Sequence, residues 1–113
     1  MIDSYSFGRV VIDGQTYTND VVILRDRGVN NRWRKEGHHL DLEDLHTVFT
    51  ENPEILVIDT GRWGLMKIPV ETQEHIASMD LELVAQRTKE ACETYNRLKK
   101  SSRDVVAALH FTC

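Results

Sequence analysis

The triplet Asp59-Thr60-Gly61 follows an apolar run, Ile55-Leu56-Val57-Ile58, and groups side chains suited to holding a ligand. Asp59 can accept a hydroxyl proton, Thr60 can donate one, and a glycine at 61 lets a ligand approach the backbone. If the run is a strand of an open α/β sheet, the triplet lies at its carboxyl end, where such sheets keep ligands. A tight strand exit that needs a glycine would read the same way. Neither a Gly-x-Gly-x-x-Gly pattern nor a P-loop is present, so position in the fold carries the ligand reading, not a motif.

A second cluster is basic. Arg32, Arg34 and Lys35 surround Trp33, a combination that grips phosphate or stacks on a base. A solvated loop pinned by Trp33 is the competing reading, and Asp26 and Glu36 dilute the charge. With a formal net charge of −4 for the chain, nucleic-acid binding is not expected, because it needs a broad basic face. Arg34 and His38 are instead the expected partners of Asp59, Thr60 and Gly61 in a site for a small anion, since arginine clamps carboxylate or phosphate. Trp33 and Trp63 are candidate contacts for a protein partner, aromatics being the usual interface anchors.

Other reactive side chains do not converge. His38, His39 and His46 lie near Asp41, but neighbouring histidines diverge and no His-Glu-x-x-His pair occurs, so neither a metal site nor a cofactor is expected. Cys113 stands three residues after His110, a spacing that faces opposite sides of an extended segment. Cys92 falls on an apolar helical stripe. No Gly-x-Ser-x-Gly elbow and no Cys-x-x-Cys is found, so no catalytic residue is assigned and an enzyme is not the expected answer.

The elements that must position these groups are legible in outline. Val10-Val11-Ile12, Asp13-Gly14 and Gln15 to Thr18 read as a hairpin. Val21 to Leu24 read as an interior strand, and Arg25 to His39 as a long polar connection. Asp41 looks like the N-cap of a helix with Leu42, Leu45, Val48 and Phe49 on its buried stripe, ended by Asn52-Pro53. Ile55 to Ile58 predict a strand, Leu65 to Ile68 a short strand, Pro69 to Met79 a helix and Leu81 to Gln86 a strand. Thr88 is expected to cap a helix that buries Ala91, Cys92, Tyr95 and Leu98, and Val105 to Leu109 to form a last strand. Strand–helix alternation implies parallel pairs with right-handed crossovers.

The chain has 113 residues, 41% hydrophobic and 28% charged, which suits one globular domain over residues 1–113 with a core of its own. Two cysteines are too few for a disulfide framework. Met1-Ile2-Asp3-Ser4-Tyr5 lacks a basic and apolar leader, and no apolar run approaches a membrane span, so the cytoplasm is the expected compartment.

Several segments in order resemble one known family. Ile55 to Gly61 resembles its strand–Gly-Thr-Gly segment, Thr88 to Leu98 its Thr-x-x-Ala-x-x-x-Tyr-Asn-x-Leu helix, and Val105 to Leu109 its last strand. Ser4-Tyr5-Ser6-Phe7-Gly8 also fits. The family consists of small α/β proteins of unknown function and includes the vertebrate adipogenesis-associated cytoplasmic protein and a mitochondrial complex I assembly factor; the chain looks like an archaeal-type member. The resemblance implies a three-layer α/β fold with a central mixed sheet, one strand antiparallel to the rest. It implies no enzyme activity and no catalytic residues. One departure is Asp59, a carboxylate where relatives often have glycine. Together these readings lead to the expectation of a non-enzymatic binding or assembly domain that acts through protein partners, with a small anionic metabolite at the sheet edge as the alternative.

Overall fold

The computed structural model describes residues 1–24, 28–30 and 45–111; the remaining positions, and the side chains of 28–30 and of Thr47, lie outside the described residues. Trp33, Arg34, His38, the Asp41 cap and Cys113 fall there.

Eight strands and three helices are described: β1 (Ile2–Ser6), β2 (Arg9–Ile12), β3 (Gln15–Tyr17), β4 (Val21–Leu24), β5 (Gly28–Asn30), α1 (His46–Glu51), β6 (Ile55–Asp59), α2 (Val70–Ser78), β7 (Glu82–Gln86), α3 (Thr88–Lys100) and β8 (Val105–Leu109). The first three strands make an antiparallel sheet in the order β1-β2-β3. Asp13 and Gly14 both take positive φ, 48° and 82°, and turn β2 into β3 as the Asp-Gly pair predicts. The other five strands form the central sheet in the order β5-β4-β8-β6-β7. β6 runs parallel to both β7 and β8, and β4 runs antiparallel to both β8 and β5. The sheet is therefore mixed, with β4 the strand that opposes the rest.

Alternation along the central strands divides the core in two. Ile55 and Val57 of β6 face Tyr95, Ala91 and Cys92 of α3, together with Ile2, Val10 and Ile12 of the small sheet. Leu56 and Ile58 face Leu45, Val48 and Ile76 on the side of α1 and α2. The crossovers from β6 to β7 and from β7 back past β6 to β8 run in opposite directions, and α2 and α3 lie on opposite faces, as the right-handed rule for such connections requires. The small sheet is tied to α3 by Asn96, whose Oδ1 accepts the Ile2 N–H at 2.8 Å and whose Nδ2 donates to the Ile2 carbonyl at 2.8 Å. No described helix is long and apolar enough to cross a membrane.

Four local expectations need correction. Leu65 to Ile68 is not a strand: only Lys67 makes an isolated bridge, and the Met66 N–H turns back to the Thr60 carbonyl at 3.0 Å instead of joining a ladder. Part of the expected polar connection, Gly28–Asn30, is the edge strand β5, folded back on β4 in the register Ile23↔Val29. β1 is a strand where none was read, its Tyr5 and Ile2 packing inward from an otherwise exposed ribbon. Thr88 is the first residue of α3, after Arg87 at the cap position, and its hydroxyl does not cap the helix.

Candidate functional site

β6 ends at Asp59, a carboxylate with no solvent exposure inside an otherwise apolar strand end. Its burial is made tolerable by three donors from separate segments. Oδ1 accepts the Gly61 N–H and the Thr88 hydroxyl, both at 2.7 Å, and Oδ2 accepts the His110 N–H at 2.8 Å. Burial pushes the Asp59 carboxyl above the ordinary carboxylate range, while the Thr88, Gly61 and His110 donors and the His110 ring pull it back. Nδ1 of the buried His110 ring lies 2.7 Å from Asp20 Oδ2. The same desolvation pushes the neighbouring Cys92 thiol up to about 12, with the Asp59 and Glu93 charges adding to it, so Cys92 is a protonated core residue and not a nucleophile.

The rest of the triplet is equally occupied. Gly61 is buried at φ +99°, and its carbonyl accepts from Gly64 N–H at 3.1 Å and Thr88 N–H at 3.3 Å. Thr60 bonds the Gln86 carbonyl twice, through its N–H at 2.8 Å and its hydroxyl at 3.1 Å. Asp59, Thr60 and Gly61 thus sew the carboxyl ends of β6, β7 and β8 to the start of α3. Arg34, His38 and Trp33 lie outside the described residues. Trp63 is on the surface, 60% exposed.

Above this seam lies an open cleft of about 480 Å³, lined by Tyr5, Ser6 and Phe7 at the end of β1, Arg62 and Trp63 from the turn after β6, and Arg87, Lys89 and Glu90 at the start of α3. Among the described residues, three cations and one carboxylate line it. The Arg62 guanidinium stands between two exposed rings, 5.6 Å from the centroid of Phe7 and 5.0 Å from that of Trp63. The Arg87 stem runs along Gly64, where an added Cβ would lie 3.4 Å from Nε. Among the described residues, no carboxylate forms an ion pair with Arg62, Arg87 or Lys89. The cap position of α3 supplies no side-chain bond, so the positive end of this helix also opens here. The Tyr5 hydroxyl is buried beside Thr88, and burial raises it above the ordinary tyrosine value while a hydrogen bond with Thr88 pulls it back.

Sequence reasoning named Trp63 and the sheet edge as candidates; it did not name Tyr5, Phe7, Arg62, Arg87 or Lys89, which line the cleft beside Trp63. They come from three distant segments. The available signal was position: Arg62 and Arg87 each stand just past the carboxyl end of a parallel strand, where open sheets gather ligand contacts. Among the described residues, no three histidine, cysteine or acidic side chains gather as a metal site.

Solved structures share this architecture. A conserved hypothetical protein from Pyrococcus horikoshii OT3 is 28% identical, with all of this chain and 99% of that one covered and a TM-score of 0.89. The Rpa2829 protein from Rhodopseudomonas palustris is 27% identical over 96% of this chain and 81% of its own, with a TM-score of 0.76. A protein from Bordetella pertussis described as a Mth938-like domain is 18% identical over 99% and 85%, with a TM-score of 0.74, and shares the fold. A family profile matches residues 2–110, and on that match the chain belongs to the family described as protein of unknown function (DUF498/DUF598).

Proposed function

We propose that this chain is a cytoplasmic, non-enzymatic binding module that captures a protein partner on the face formed by Phe7, Arg62 and Trp63. The observation that supports it is the exposure of the two rings that flank Arg62, 51% for Phe7 and 60% for Trp63. Aromatic residues and arginine are the side chains that anchor interfaces, and their rings gain most when a partner excludes water from them. A small anionic metabolite is the second reading, favoured by Arg62, Arg87 and Lys89 around one cleft. Small-ligand sites bury most of their ligand, roughly 70–90% of its surface. Walls as exposed as Phe7 and Trp63 leave a metabolite largely in water, which favours the larger partner.

The test is affinity capture with purified wild type, Trp63→Ala and Phe7→Ala as baits, beside a thermal-shift screen of anionic metabolites. A stoichiometric partner held by wild type and lost from both variants is expected. A partner retained at full strength by both variants overturns this reading, and a saturable thermal shift with a metabolite favours the second one.

A further inference from the structure

We infer that the cleft takes an acidic peptide segment of the partner, with one or two carboxylates between Arg62, Arg87 and Lys89 and an apolar side chain on the rings of Phe7 and Trp63. The inference rests on the partner-binding reading and names the chemistry of what is bound.

Charge complementarity selects this occupant. The chain carries a formal net charge of −4, yet among the described residues that line the cleft three cations stand against one carboxylate, Glu90. Arg62, Arg87 and Lys89 have no carboxylate partner among the described residues, so no described acidic group is paired with their charge. The start of α3 adds the backbone N–H groups of Lys89 and Glu90, the second and third helical positions, which have no acceptor within their own helix. A local cationic spot on an acidic protein suits an anion of few charges; a phosphodiester chain would extend beyond the spot onto repelling surface. Phe7 and Trp63 at the rim call for an apolar neighbour beside the carboxylates, which a peptide carries and a bare anion does not.

The experiment is a ¹⁵N NMR titration of the full chain with the capped peptide Glu-Glu-Phe-Glu-Glu, its counterpart Gln-Gln-Phe-Gln-Gln, inorganic phosphate and a short oligouridylate. The Trp63 indole signal is assigned with Trp63→Phe. The acidic peptide is expected to shift the Trp63 indole and the Lys89 and Glu90 amides saturably, and to weaken with added salt. The glutamine peptide, and the acidic peptide on Arg87→Gln/Lys89→Gln, should each bind at least about tenfold more weakly. Both substitutions are on exposed side chains, and an unchanged unfolding temperature checks that the fold is intact. Equal binding of the two peptides, unchanged binding by the double variant, tighter binding of phosphate or oligouridylate, or no saturable shift overturns the inference. Failure here is distinct from failure of the parent reading. A captured partner lost by Trp63→Ala but kept by Arg87→Gln/Lys89→Gln sinks only the acidic-peptide inference, whereas a partner kept by Trp63→Ala and Phe7→Ala sinks the reading beneath it.

Discussion

At Asp59, a fully buried carboxylate replaces water with donors from the turn after β6, the start of α3 and the end of β8. Asp59→Asn keeps the shape but turns an NH2 toward one of those donors, leaving a buried group unsatisfied at a cost of about 1–3 kcal/mol. The pH dependence follows from the direction of its shift. Burial, the largest influence, raises the folded carboxyl above its ordinary value of 3.8, so the native state holds the proton more tightly than the unfolded chain. Stability from that difference is complete below the unfolded value and is lost as pH rises through the folded one. The asparagine variant has no such titration. Urea denaturation of both proteins should therefore show the advantage of wild type shrinking as pH rises through and beyond the ordinary carboxylate range. An advantage that widens over that range would mean the three hydrogen bonds outweigh desolvation and lower the carboxyl instead. Sequence reading located Asp59 by the end of the apolar run and offered it to a ligand; its real donors sit at positions 61, 88 and 110, and such long-range pairing leaves no local pattern.

Among the elements, those with strong periodicity were the legible ones. β6 and β8 are buried along their whole length, and α3 buries Ala91, Cys92 and Tyr95 on one stripe as its 3.6-residue pattern requires. β1 and β5 carry no such signal, because β1 turns Ile2 and Tyr5 inward three residues apart across a register shift, and a three-residue strand is too short to show a period. The start of α3 shows a local rule overruled by tertiary contact. Thr88 before a helical stripe reads as an N-cap, yet it is buried as the first helical residue, with its hydroxyl on Asp59. The two roles respond oppositely to substitution. A cap accepts aspartate as well as threonine. At this position Thr88→Asp would set a second carboxylate against Asp59 in a buried site, and the cost should exceed about 3 kcal/mol, the scale of an uncompensated buried charge. Thr88→Ser keeps the donor and should cost about 1 kcal/mol or less. Equal stability of the aspartate and serine variants in denaturant titrations would restore the capping role.

At the scale of the whole molecule, the two cores meet across one sheet. Ile55 belongs to the side of α3 and the N-terminal ribbon, and Leu56, its neighbour in the same strand, to the side of α1 and α2. β6 pairs with β7 and β8 along its length, so neither core can open without breaking the ladder that supports the other. The cleft depends on the same union, since its described lining comes from β1, the turn after β6 and the start of α3. A cleft assembled this way leads to the expectation that the described residues unfold as a single cooperative unit. Ile55→Ala and Leu56→Ala each delete a fully buried side chain from a different core, and each should cost about 2–5 kcal/mol. In a cooperative unit both substitutions move one shared transition to lower denaturant, without separating the near-UV signal of the aromatic residues from the far-UV signal of the backbone. Two resolved transitions in either variant would mean that the cores unfold independently, and that the cleft can come apart while half of the molecule remains folded.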